Sequence, residues 1–212
     1  MNDTAPTRRP IRWVRWLLLS IALATVVGYA SFRYAQAKSD GPLNDIVPGG
    51  ALRSGPLTET AVRSWTAELA RLNVCATEVC GDMQPIEVQL ESPARSRYVG
   101  VMLHRDELYI PCDLGFMWQR FAGTERRMLE LIYHLKTWHE DAVANGSAKI
   151  RFGGVGGTRY AVTLEQVTDA SLIDSLKSQL EAMAAVWVAP APLAPAPATA
   201  PNDIWFFKVL PR

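Results

Sequence analysis

Tyr98-Val-Gly-Val-Met-Leu-His104 and Glu107-Leu-Tyr-Ile-Pro111, split by Arg105-Asp106, decide the architecture of this chain. Both runs are rich in β-branched and aromatic residues, and a two-residue polar break between such runs is the form of a hairpin. Upstream, Ile86, Val88 and Leu90 alternate with Glu87, Gln89 and Glu91, which predicts a half-buried strand with one wet face. Further upstream a helix is expected to start near Thr58, with Val62, Trp65, Leu69 and Leu72 on one stripe. Downstream, Thr124–Glu140 reads as a helix. Thr124 would cap it, Glu125 suits its first turn, and Met128, Leu131, Leu135 and Trp138 make its buried face.

Asn145-Gly146 then turns the chain into a second hairpin, Lys149–Phe152 and Arg159–Val167, around Gly153-Gly154-Val155-Gly156-Gly157. No Lys-Ser or Lys-Thr follows these glycines and no helix opens there, so they read as a permissive turn and not as a phosphate loop. A further helix is expected from Thr168, with Asp169 in its first turn and Leu172, Leu176, Leu180, Met183 and Trp187 on one side. Residues 189–201 alternate Ala and Pro and read as a stiff connector. Ile204–Leu210 is β-prone and too apolar to be left free, so it must pack into the sheet or on a partner. About six strands with helices inserted among them, without regular βαβ alternation, make an α+β domain. Its sheet is expected to be mainly antiparallel and closed into a small barrel.

Ahead of this domain stands Trp16–Phe32, seventeen residues without a charge, behind a head containing Arg8, Arg9, Arg12 and Arg15. A run of this length suffices to span a bilayer as a helix. The excess of arginine before it places the N-terminus in the cytoplasm and the remainder outside. Trp13, Trp16, Tyr29 and Tyr34 sit at the two ends, where amphipathic rings favour the headgroup layer. Three routes fit the head. The first is an uncleaved signal anchor. The second is a signal peptide cut after Ala35-Gln36-Ala37, although Arg33-Tyr34 makes that site poor. The third is a twin-arginine export signal around Thr7-Arg8-Arg9-Pro10-Ile11-Arg12. The expected location is the cytoplasmic membrane, as a single-pass chain with a periplasmic domain. The expected organisation is a basic head (1–12), a transmembrane anchor (13–32), a tether (33–57), the barrel domain (58–188), the connector (189–201) and a closing strand (202–212).

The chain has 212 residues and a net charge of +1, so no global field recruits nucleic acid, and no basic stripe with interleaved aromatics appears. Cys75 and Cys80, flanking Ala76-Thr77-Glu78-Val79, have a spacing that would close a small disulfide loop in an oxidising compartment; two buried thiols are the alternative. Cys112 is left over, and no base or helix terminus is visible to activate it. His134 and His139 share the expected helix but lie five apart, which rotates the second ring off the face that i, i+4 metal ligation needs.

The order of hairpin Tyr98–Pro111, helix with Lys136-x-Trp138, strand Ala148–Phe152 after Asn145-Gly146, and Tyr160–Val167 running into Val167-Thr168-Asp169 resembles the split-barrel flavin and deazaflavin oxidoreductases. These are the pyridoxamine-phosphate oxidase-like proteins. The resemblance covers roughly 86–187. The Gly-Arg-Lys-Ser-Gly turn of the deazaflavin branch is missing, and Ser92-Pro93-Ala94-Arg95-Ser96-Arg97 stands in its place. What the resemblance implies is FMN or a deazaflavin as cofactor, chemistry carried by the bound ring, and a homodimer. Its phosphate would meet Arg95, Ser96 and Arg97; its ring would lie near Tyr98, Lys136 and Trp138. On residue type alone, Arg95 and Arg97 also fit solvated turn charges, and Trp138 also fits the core. Two functions follow: a membrane-anchored redox domain, or a non-catalytic envelope domain that binds a partner protein or small ligand.

Overall fold

The computed structural model describes residues 12–43, 47–59, 61–73, 86–115, 136–187 and 204–212. Among them are four helices and eight strands. The helices are α1 (Arg12–Lys38), α2 (Trp65–Arg71), α3 (Trp138–Ala144) and α4 (Ala170–Trp187). The strands are β1 (Leu57–Thr58), β2 (Ile86–Glu91), β3 (Ala94–Val99), β4 (Met102–His104), β5 (Glu107–Asp113), β6 (Ser147–Arg151), β7 (Arg159–Gln166) and β8 (Ile204–Pro211). The class is α+β. One sheet runs β3-β2-β6-β7-β8-β5-β4, antiparallel at every step, and curls into a half-barrel. β1 adds a short parallel pairing to β7.

The hairpin β4–β5 turns through Arg105 and Asp106, at φ 52° and 63°. Two successive residues with positive φ match the right-handed twist of the flanking strands. β8 does not close an edge: it lies between β7 and β5, pairing Phe207 with Gln166 on one side and with Ile110 on the other. That interior place accounts for its apolar sequence, since both strand edges and both faces are covered.

Strand alternation sorts the side chains onto two faces. Val88, Leu90, Ile110, Ile150, Val162 and Phe207 point into the half-barrel and form its core with Trp65, Trp138 and Phe152. Tyr109, Ile204 and Phe206 point the other way, where α4 covers them with Leu176 and Met183.

Five expected elements differ. Tyr98–His104 is not one strand: Tyr98-Val99 end β3 against β2, and only Met102–His104 pair with β5 as β4. Ile86–Leu90 has no wet face: Glu87 is 1% exposed and Gln89 4%. α2 begins at Trp65, with Ser64 as its cap, because Leu57-Thr58 is drawn into the sheet as β1. The helix read through to Glu140 is broken, since Lys136 and Thr137 are non-helical and α3 starts afresh at Trp138. The part of it at 124–135 lies outside the described residues. Asp169 is not inside α4 but caps it, its Oδ1 accepting from the Leu172 amide at 2.7 Å. The connector at 189–201, the basic head before Arg12, and Cys75 with Cys80 also lie outside the described residues.

The outer face of β2 and β6 is occupied by the chain that follows α1. The Arg151 side chain is fully buried there, donating to Glu87 Oε2, to Asp40 Oδ1 and the Asp40 carbonyl at 3.0 Å each, and to Ser54 Oγ at 3.3 Å. Gln89 Oε1 accepts from the Leu52 amide at 2.6 Å, and Arg159 donates to the carbonyls of Leu52 and Gly55. Residues 47–55 are therefore a strap fastened across the sheet. α1 runs on through Arg33–Lys38, and its end is fastened too. Gln36, 5% exposed, donates to the Pro48 carbonyl; Ser39 Oγ accepts from the Gly50 amide at 3.1 Å.

Candidate functional site

β3 places the two candidate arginines. Arg97 pairs across from Val88 and Arg95 from Leu90, both inner-core residues, so the two arginines leave the strand on its inner side. Ser96 and Tyr98 leave on the opposite side. Ser96 is fully buried under the strap, its Oγ donating to the Gly50 carbonyl at 2.6 Å. The six expected cofactor residues thus divide. Only Ser92-Pro93 is a turn; Ala94–Val99 is strand, because it pairs along its whole length with β2. Tyr98 faces away from Arg97, and Ser96 has a structural partner.

Arg97 meets the other part of the prediction at the rim of the half-barrel. β5 brings Cys112 to the inner face, and β8 sets Trp205 directly across from it. The break before α3 carries Lys136 to β5, where its Nζ donates to the Asp113 carbonyl at 3.0 Å. The first turn of α3 packs His139 edge-on against the Trp205 ring, with centroids 4.9 Å apart. Trp138 turns into the core against Phe207 at 5.3 Å, so it is a packing residue.

The electrostatics bind these groups into one neighbourhood. Burial, then the nearby Arg95 charge, lowers the affinity of Arg97 for its proton, while Asp141 and Cys112 act in the opposite sense. Burial also lowers the pKa of Lys136, with Arg97 adding to the effect and Cys112 and Asp113 opposing it. The Cys112 thiol is pushed up to about 12 by burial, which makes it a neutral packing group at ordinary pH. His139 is held below its usual value, again chiefly by burial. Its Nδ1 is buried and has no hydrogen-bond partner among the described residues. Two half-buried cations, a buried ring nitrogen and an aromatic face at one rim suit a small anion with a planar part.

Arg97 and Lys136 were readable as candidates from residue type and position. His139 was legible only as a weak metal ligand, and Trp205 only as a strand residue. What brings them together is the pairing of β5 with β8 and the start of α3 at Trp138, neither of which leaves a local mark in sequence.

No protein-family model and no curated protein matches the sequence. Among solved structures, the chain is similar to a pyridoxamine 5'-phosphate oxidase-like protein from Listeria innocua. The identity is 12% and the TM-score 0.41, over 69% of this chain and 92% of that one.

Proposed function

We propose that this chain is a membrane-anchored, outward-facing domain that binds a small anionic cofactor, FMN or a deazaflavin, at its barrel rim and uses it for oxidoreduction. The convergence of Arg97, Lys136 and His139, from a strand and a helix start about forty residues apart, carries this reading. The donors fit the phosphate end of such a cofactor, with Arg97 and Lys136 as its holders. Trp205 and His139 would border the ring. When bound, the ring supplies hydride or electron transfer, and the chain supplies orientation and a dry, cationic wall. His139 Nδ1 would exchange a hydrogen bond with the ligand, and the neutral Cys112 would stay out of the chemistry.

The anchor is supported by α1. Trp13–Lys38 is apolar enough to cross a membrane, with mean hydropathy 1.6, and none of its most apolar stretch is buried in the domain. The arginine excess before it favours an N-terminus in the cytoplasm. Gln36, inside the small-x-small site, is locked to Pro48, which favours an uncleaved chain. A reporter fused after Arg212 should be active only outside the cytoplasm.

Fluorescence titration of the full chain with FMN and with a deazaflavin tests the cofactor. Binding that is weakened at least tenfold in R97A/K136M supports the rim, because each charge-assisted bond contributes about 1.5–3 kcal/mol. Unaffected binding moves the site elsewhere. The tight packing of Trp65, Phe152 and Phe207 inside the half-barrel favours a second reading, a non-catalytic envelope domain. Failure of the wild type to bind either cofactor selects it.

A further inference from the structure

Where α1 leaves the apolar run, the helix, the strap and the edge strand β3 enclose a cavity of about 330 Å³. Its walls include Arg33 from the helix and Arg53 from the strap, with Gln36, Gly49 and Gly50 between them and Ala94-Arg95 of β3 along its edge. No carboxylate lines it among the described residues. The nearest acid on the strap side, Asp40, is already engaged by Arg151 and by the amides of Arg53 and Ser54.

We infer that this cavity binds the phosphate of an anionic lipid headgroup. Its depth in the membrane points to a lipid. At about 1.5 Å per residue, Trp16–Phe32 spans about 26 Å, close to the hydrocarbon thickness of about 30 Å. Arg33, the first charge after that run, therefore stands at the headgroup layer on the side of the domain. Arg53 comes to the same level because Gln36 and Ser39 hold the strap against the helix end. The walls between the arginines are backbone at close approach: a Cβ added at Gly49 would lie 1.9 Å from the Gly41 carbonyl oxygen, and one at Gly50 would lie 2.5 Å from that of Ser39. The amides of Gly49 and Gly50 are already spent on Ser96 and Ser39. The guanidiniums of Arg33 and of Arg53, which also donates to the Ala37 carbonyl at 3.4 Å, are thus the donors, and they match a phosphodiester flanked by polar oxygens. Acyl chains would lie along α1.

This inference rests on the anchored reading, and one experiment separates the two. The full chain, extracted in a nonionic detergent, is offered phosphatidylglycerol or phosphatidylcholine, and native mass spectrometry reports the bound lipid. The wild type should retain phosphatidylglycerol in preference to phosphatidylcholine, and R33Q/R53Q should weaken that retention at least roughly tenfold. R33Q alone, on the exposed helix surface, should weaken it several-fold and decides the matter if the double variant does not fold. Equal retention of the two lipids, or retention unchanged in the variants, overturns the proposal. Displacement of phosphatidylglycerol by an equal concentration of glycerol phosphate assigns the cavity to a free phosphate and overturns the lipid. The same spectrum gives the chain mass. A chain beginning at Lys38 has lost Arg33 and ends both readings, whereas an intact chain without lipid preference ends this one alone.

Discussion

The two faces of β2 and β6 are held by opposite means. The inner face is apolar: Val88, Leu90, Ala148 and Ile150 are at most 5% exposed, and their burial removes hydrocarbon from water. The outer face is dry at Glu87, Gln89 and Arg151, polar side chains joined to Asp40 and to the strap. Burying such charges costs desolvation that their mutual attraction roughly offsets, so the outer network adds little net stability. What it adds is selection of one arrangement, because only the observed strap conformation satisfies the Arg151 guanidinium. The inner face tolerates any packing of the right volume; the outer face accepts one partner set.

Removing one member of the network is the strongest way to break this contrast. E87A leaves Arg151 buried without its main counter-charge and should cost about 3–5 kcal/mol in urea unfolding. The paired replacement E87L/R151M sharpens the comparison, since it should recover most of that loss. Full recovery with a disordered strap would show that the ions act in specificity; no recovery would show that they act in stability.

Acid attacks the same network from Asp40. Burial works against its charge, but hydrogen bonds from Ser54 and the amides of Arg53 and Ser54, with Arg151 nearby, hold its pKa at about 2. A carboxylate depressed in the fold contributes stability above its ordinary value, 3.8, and loses it as pH falls through about 2. The expected loss across that window is about 2 kcal/mol, and it should vanish in D40N.

The inner face should respond by volume alone. I150V should cost about 1 kcal/mol and leave the strap untouched by hydrogen exchange. The rim answers least. Burial disfavours the charged form of Lys136, so K136M should change stability by under about 1 kcal/mol at neutral pH. A lysine whose folded pKa is lowered penalises the fold while protonated. The wild type should therefore gain on K136M as pH rises toward 10.5, the ordinary lysine value.

Local pattern carried the hairpin around Arg105-Asp106, the α4 stripe and the glycine turn, because each is decided by residues within one element. It failed at Glu87 and Gln89. Alternation marks those two as solvent-facing, while their partners, Arg151 and Leu52, lie 64 and 37 residues away. It failed at Arg95–Arg97 for the same reason: a basic, proline-led stretch looks like a turn until β2 pairs with it. Of the rim, Arg97 and Lys136 announced themselves by charge. Their companions depended on strand order, which no window of sequence contains.

The fastening of Gln36 and Ser39 to the strap removes the swivel between helix and barrel. In a bilayer, any lean of α1 becomes an equal lean of the whole domain. An apolar helix leans according to the mismatch between its length and the local hydrocarbon thickness. If α1 spans a membrane, the barrel rim would thus turn toward or away from the membrane plane with the thickness of the bilayer around it, and lipid composition would act on the domain as a goniometer.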